Sequence, residues 1–305
     1  MRFFVAVTNN EWFHHLAALQ PDEVNFWRPR SQQDFRTIPV GAPFLFKLHH
    51  PFNFIVGGGF FLKHTFLPIQ LMWQAFGEKN GVPDFPTLRT RILQHRAPAE
   101  MSRQIGCTLL SEPFFFPEAA WIPSPPDWAT NIVTGKTYDT SEPNGAVLWT
   151  EVTARLIGTD ADGRLGALQE NDRHGAPQTI LPRLGQGGFR ILVTDAYGRR
   201  CAITGERTLP ALEAHHIRPF SEEGPHRTDN GLLLRSDWHR LFDDGYATLT
   251  DDFRILVSRK IRDEFENGRE YYAFDRQALT ILPDKESDRP SREFLEWHRD
   301  VRFLG

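Results

Sequence analysis

Four of the chain's 12 histidines fall within 25 residues, His215 to His239. They lie in Glu213-Ala214-His215-His216-Ile217-Arg218-Pro219, then beyond Asp229-Asn230-Gly231-Leu232-Leu233-Leu234, then in Ser236-Asp237-Trp238-His239-Arg240-Leu241-Phe242-Asp243. His239 and Asp243 are four residues apart, which puts them on one face of a helical turn. An imidazole and a carboxylate so placed converge on one divalent cation. Apolar residues flank each polar group, so these side chains must stand on small ordered supports. Asn230-Gly231 is a tight-turn dipeptide that returns the chain toward the first segment. The order strand, loop, strand, helix predicts a small ββα unit with imidazoles at its seam.

In this order the stretch resembles the HNH nuclease family and its ββα-metal fold. His216, Asn230 and His239 stand at the three name-giving positions, 14 and 9 residues apart. Cys201-Ala202-Ile203-Thr204-Gly205 and Leu241-Phe242-Asp243-Asp244-Gly245 resemble the restriction-type branch, and the resemblance runs from about Gln186 to the C-terminus. It implies that His216 is the general base taking a proton from the water that attacks phosphorus, suited by an ordinary imidazole pKa near ~6.5. It implies that His239 binds a divalent metal ion, Mg²⁺ or Mn²⁺, with His215 or Asp243 completing the shell. Asn230 would hold the loop that aims His216, or lend its amide oxygen to the metal. Arg218 and Arg240 are the expected phosphate clamps. Singly, each feature has a plainer reading: a His-His pair on a strand edge, an ordinary turn, a histidine on a helix surface. Their joint order and spacing carry the resemblance. His226, in a Gly-Pro-His-Arg loop, is expected to be exposed or to face DNA. Many family members add cysteine pairs for structural zinc. With only Cys107 and Cys201, this chain must rely on helices and Trp/Phe packing.

The chain as a whole is ordinary in composition: 305 residues, 40% hydrophobic and 24% charged, enough for about two domains. That excludes disorder, collagen-like repeats and a disulfide scaffold, and two cysteines exclude a four-cysteine zinc ribbon. A net charge of -4 argues against a polycationic nucleic-acid coat. Local basic residues survive the averaging: Arg190, Arg199, Arg200, Arg218 and Arg240 gather around the motif. The apolar start is too short for a signal-peptide core. The apolar run Pro43 to Leu67 is broken by Lys47, His49, His50, Asn53, Lys63 and His64, so it cannot cross a bilayer as one helix. A cytoplasmic protein without membrane contact is expected.

Texture divides the chain into a domain over 1–155, a Gly- and Asp-bearing linker over 156–185 and the motif-bearing domain over 186–305. The first part is rich in Phe, Trp and Pro. It shows strand pattern at Phe3–Val7, Phe44–Leu48, Asn53–Val56, Ile105–Leu110 and Ala146–Val152, with helical pattern around Trp73–Phe76 and Thr87–Leu93. In the second part a helix is expected from Gly187 to Gly198, short strands at Cys201–Thr204, Leu212–Ile217 and Arg254–Val257, and a final helix that Ser291 could cap. Gly57-Gly58-Gly59 reads as a bulge or a close backbone approach.

Val40-Gly41-Ala42-Pro43-Phe44-Leu45-Phe46-Lys47-Leu48 and Phe54-Ile55-Val56-Gly57-Gly58-Gly59-Phe60, with Asn25-Phe26-Trp27 before them, resemble the PUA-like superfamily of EVE, YTH, ASCH and SRA domains. The fold class expected is therefore α+β: an N-terminal PUA-like β-barrel with helices, linked to a C-terminal ββα-metal HNH nuclease domain. The resemblance implies a pocket that accepts a flipped, often modified base between aromatic faces. Asn25, Trp27 and Tyr138, with Trp121, Trp128 and Trp149, are the pocket candidates, and Arg28 and Arg30 could grip phosphates; any one Trp more often fills a core than a base cage. Jointly these resemblances imply a modification-dependent restriction endonuclease, cutting double-stranded DNA that carries 5-methyl- or 5-hydroxymethylcytosine. One such site cuts one strand, so a homodimer is expected. The alternatives are an HNH endonuclease indifferent to modification and a modified-base binding protein with a silent nuclease half.

Overall fold

The computed structural model describes residues 1–29, 33–95, 104–159 and 184–305. The chain falls into two compact units, Met1–Arg183 and Leu184–Gly305. Residues 160–183 of the expected linker and Arg30 lie outside the described residues, whereas Leu156–Thr159 end a helix. Among the described residues no helix is long and apolar enough to cross a membrane.

In the first unit the central strands are apolar on both faces. β1 (Arg2–Thr8) pairs in parallel with β3 (Pro43–Leu48) and antiparallel with β7 (Gly135–Asp139). β4 (Phe54–Leu67), β5 (Ile105–Phe115) and β2 (Glu23–Arg28) extend the sheet to the order β2-β5-β4-β3-β1-β7, and β6 (Ile122–Pro123) pairs with β4. Side chains alternate across a strand. Phe4, Ala6, Phe44 and Phe46 therefore face Trp12, Phe13 and Leu16 of α1 (Asn10–Leu19). Phe3, Val5, Leu45 and Tyr138 face the opposite way, toward Leu148, Val152 and Leu156 of α4 (Pro143–Thr159). Most of this unit's phenylalanine is thus accounted for by a sheet packed on both sides.

Two helices occupy the crossover between β4 and β5: α2 (Ile69–Phe76) and α3 (Phe85–Leu93), the latter capped by Asp84, whose carboxylate accepts from Thr87 N. A Cβ at Gly57 would lie 2.2 Å from Phe114 O and one at Gly58 2.8 Å from Phe44 O, so the glycine run permits close backbone approach, with a register shift beside it. The two ends of the sheet share no ladder among the described residues, but the Arg28 guanidinium donates from Nη2 to Thr134 O, just before β7, at 2.9 Å. The expected strand at Ala146–Val152 is helix instead. Its buried positions, Leu148, Val152 and Leu156, recur every four residues, a helical period.

The second unit is α+β as expected. α5 (Gln186–Ala196) precedes the hairpin of β8 (Leu212–His216) and β9 (Gly231–Arg235), and α6 (Ser236–Asp243) follows directly. A second hairpin, β10 (Ala247–Leu249) with β11 (Ile255–Val257), leads to α7 (Lys260–Phe265), α8 (Arg269–Tyr272) and α9 (Arg292–Val301). Cys201–Thr204 is a turn rather than a strand. Cys201 Sγ accepts from the amides of Thr204 and Arg235 at 3.5 and 3.3 Å, which ties this turn to the end of β9. Trp238 is fully buried against the edges of Tyr271 and Phe274 at 5.2 and 5.6 Å. Ser291 stands at the N-cap of α9, but its hydroxyl makes no capping bond.

Candidate metal centre

β8 and β9 pair so that His216 lies opposite Gly231 and His215 opposite Leu232. Neighbouring residues on a strand point to opposite faces, so the His-His pair serves two sides of the hairpin. Glu213 and His215 turn toward α6. There His239 and Asp243, one helical turn apart, come up to meet them.

Ligand atoms of His215, His239 and Asp243 all lie within 4.8 Å of one another. His215 Nδ1 is 3.3 Å from one Asp243 oxygen and His239 Nε2 is 3.2 Å from the other. His215 is 2% exposed, and apart from the Asp243 carboxylate beside Nδ1 neither ring nitrogen has a hydrogen-bonding partner. Burying an imidazole nitrogen unbonded is costly, and an ion between these three side chains would remove that cost. The set of two imidazoles and one carboxylate therefore fits a divalent cation. Burial pushes the pKa of His215 down, keeping the ring neutral. Burial alone would raise that of Asp243, but His215, His239 and Arg240 together hold it below the usual carboxylate range. Neutral imidazoles and an ionised carboxylate are the forms that bind metal.

Glu213 completes this side of the site, and its role was not foreseen. Its carboxylate accepts a hydrogen bond from His239 Nδ1, leaving Nε2 directed at Asp243. A carboxylate behind a ligating imidazole fixes its tautomer and raises its basicity. The clue in sequence is Glu213-Ala214-His215, whose period of two places both polar residues on one strand face.

His216 faces the other way. Its ring stacks on Phe189 of α5 at 3.7 Å and 12°, and its Nε2 lies 2.8 Å from His226 Nδ1. Its pKa, expected near the ordinary imidazole value, is instead pushed down to about 4, by burial first and then by the imidazoles of His226, His215 and His239. The ring is thus neutral throughout the neutral pH range. His226 is not simply presented to solvent, as its polar loop suggests, but is partnered to His216.

Asn230 is buried, and all its amide bonds go to backbone: Oδ1 accepts from Arg218 N at 2.9 Å, and Nδ2 donates to Arg218 O and Pro225 O at 3.0 and 2.9 Å. Of the two roles expected for it, this geometry favours holding the loop. Gly231 follows because α5 packs there; a Cβ would lie 2.4 Å from Val193 Cγ2. A cavity of about 170 Å³ opens beside the centre, lined by His215, His216, Asp243, His298 and Arg302 among others. Arg218 does not reach out as a clamp: its Nε donates to Glu222 O at 2.6 Å and its guanidinium lies over Trp297. Arg240 is exposed on α6, and no hydrogen bond or ion pair holds its guanidinium among the described residues.

The base-pocket candidates are not brought together. Tyr138 is buried, stacked on Phe3 at 5.8 Å, with its hydroxyl donating to Asp127. Asn25 is buried on the sheet's other margin, donating from Nδ2 to Asn80 Oδ1 and Cys107 Sγ. Trp27, half-buried beside it, donates from Nε1 to Asn80 O at 2.8 Å. Each is engaged by neighbours in the fold, and Asn25 Oδ1 alone is left without a partner among their side-chain polar atoms. On the opposite face of β2, Arg28 lies over the rings of Phe4 and Phe26 at 5.8 and 5.4 Å. Near it, His64 Nδ1 bonds Thr108 while its buried Nε2 has no partner.

Residues 201–250 match the HNH endonuclease family. No curated protein matches the chain. Among solved structures, a ZmASCH protein from Zymomonas mobilis is similar to 52% of this chain over 97% of its own length, at 10% identity and a TM-score of 0.31. A structure described as the modification-dependent TagI restriction endonuclease is similar over 93% of this chain and 76% of its own, at 13% identity and a TM-score of 0.29.

Proposed function

We propose that this chain, which carries an HNH endonuclease domain over residues 201–250, is a metal-dependent DNA endonuclease directed by its N-terminal unit to DNA bearing modified cytosine. The observation that carries the nuclease reading is the convergence of His215, His239 and Asp243 with His216 at the next strand position. The three would hold Mg²⁺ or Mn²⁺, which when bound stabilises charge on the scissile phosphate and on the leaving 3′ oxygen. His216, neutral at pH 7, takes the proton of the attacking water. Asn230 sets the loop beside it. Arg240, exposed on the same helix as two of the ligands, pairs with a neighbouring phosphate.

Modification dependence rests on the N-terminal unit. There Arg28, half-buried over two phenylalanines, and His64, with an unpartnered nitrogen, supply polar groups at an otherwise aromatic end of the sheet. We assign base reading to this end, since Trp27 faces the opposite side of β2. One such centre cuts one strand, so a double-strand break takes two copies, and a homodimer on DNA is the simplest arrangement. Matched plasmids with and without 5-methyl- or 5-hydroxymethylcytosine test the reading. Cleavage confined to modified DNA is the expected result. Equal cutting of both would remove modification dependence, and no cutting with any divalent metal would remove the nuclease.

A further inference from the structure

The loop between the two strands of the ββα hairpin is built around a side chain that the three-residue HNH motif does not use. His226 Nδ1 lies 2.8 Å from His216 Nε2. Each ring rests on its own aromatic plate: His216 on Phe189 at 3.7 Å and 12°, His226 on Phe220 at 4.7 Å and 4°. The backbone around His226 is pinned as well. Pro225 O accepts from Asn230 Nδ2 and from Arg227 N, both at 2.9 Å. At Gly224 a Cβ would lie 1.8 Å from Arg218 O, so no other residue lets the loop fold this tightly. A mere connection between strands needs none of this.

Of two imidazole nitrogens in such contact, one must donate and the other accept. Among the described residues no other hydrogen bond engages the His216 ring, so this contact couples its tautomer to that of His226. Donation of Nε2–H to His226 leaves the lone pair on His216 Nδ1.

We propose that His226 is a positioning residue, holding His216 in the tautomer and orientation in which Nδ1 accepts the proton of the attacking water. The proton then resides on Nδ1, and the Nε2–H bond to His226 becomes charge-assisted, hence stronger, as the charge develops. This rests on the reading of His216 as the general base.

Steady-state cleavage of a linear DNA fragment carrying 5-methylcytosine, with Mn²⁺, tests it. His226→Ala is expected to lower kcat about 10- to 100-fold, leaving KM for DNA and the melting temperature unchanged. His226→Asn, whose amide can stand near the Nδ1 position, recovers most of that loss. Phe220 is 67% exposed, so Phe220→Ala spares the core and gives a smaller fall in kcat even if His226→Ala does not fold. Wild-type kcat in His226→Ala beside an inactive His216→Ala overturns the proposal, and so does an Asn variant as slow as the Ala variant. If His216→Ala cleaves like the wild type, the reading of His216 itself fails, and the role of His226 with it.

Discussion

The two units treat buried polar groups differently. In the first, several buried polar groups close on their neighbours: Asn80 on Asn25 and the Met72 and Gly77 carbonyls, Lys47 on Asn53 and the Leu48 carbonyl. In the second, His215 is just as buried, yet apart from the Asp243 carboxylate its nitrogens lack hydrogen-bonding partners, while His239 also stands beside it. His64 is the intermediate case, with one nitrogen bonded to Thr108 and one without a partner. An orphaned buried atom costs on the order of 1–3 kcal/mol. Convergence separates the three: only at His215 do further ligand atoms gather at coordinating distance.

The largest expected effect tests that contrast directly. Asp243→Ala should reduce metal-supported cleavage on the order of a thousandfold, read as kcat with Mn²⁺, whereas His64→Ala should leave Mn²⁺ affinity unchanged, read by calorimetric titration. Next comes the aromatic packing of the second unit. Trp238→Ala should cost the second unit about 3–5 kcal/mol, read from chemical denaturation. Glu213→Gln keeps the fold and weakens Mn²⁺ binding about 10- to 100-fold, read by calorimetric titration.

A pH effect follows from the buried imidazoles of the same unit. His298 is held down to about 4, by burial first and then by His215. The unfolded ring titrates near ~6.5, so between these values the unfolded chain binds more protons. Stability in metal-free buffer is therefore fully present above about pH 6.5 and is lost as the pH falls toward 4, which melting temperatures at pH 7 and pH 5 would show. Smallest is Tyr138→Phe. Loss of the bond to Asp127 should cost about 1 kcal/mol and leave base selectivity untouched.

How much of this the sequence reveals depends on the range of the interaction. The ββα order, the face shared by His239 and Asp243, and the strands at Phe3–Val7 and Phe44–Leu48 follow from local period and turn chemistry. Ala146–Val152 misleads because a short apolar run fits both periods, and only its packing on Phe3, Val5 and Tyr138 selects the helix. Cys201–Thr204 looks like a strand because nothing local shows that its sulfur will bond the distant Arg235 amide. Asn25, Trp27 and Tyr138 are base-pocket residue types, but they stand on strands at opposite ends of the sheet order. Glu213 and His226 are legible as residues and not as roles, since each role is a contact with a partner 26 or 10 positions away.

In the proposed mechanism the β8–β9–α6 unit cuts DNA with a bound metal and His216 as base. Its most direct test strips the protein of metal, restores Mn²⁺, and follows nicking of modified plasmid by the wild type and by His216→Ala, with DNA binding measured alongside. The wild type is expected to nick only after metal is restored, while His216→Ala binds DNA as tightly and is at least a hundredfold slower, in keeping with about 10²–10⁴ for a general base. Wild-type nicking without metal, or equal nicking by the variant, would contradict it.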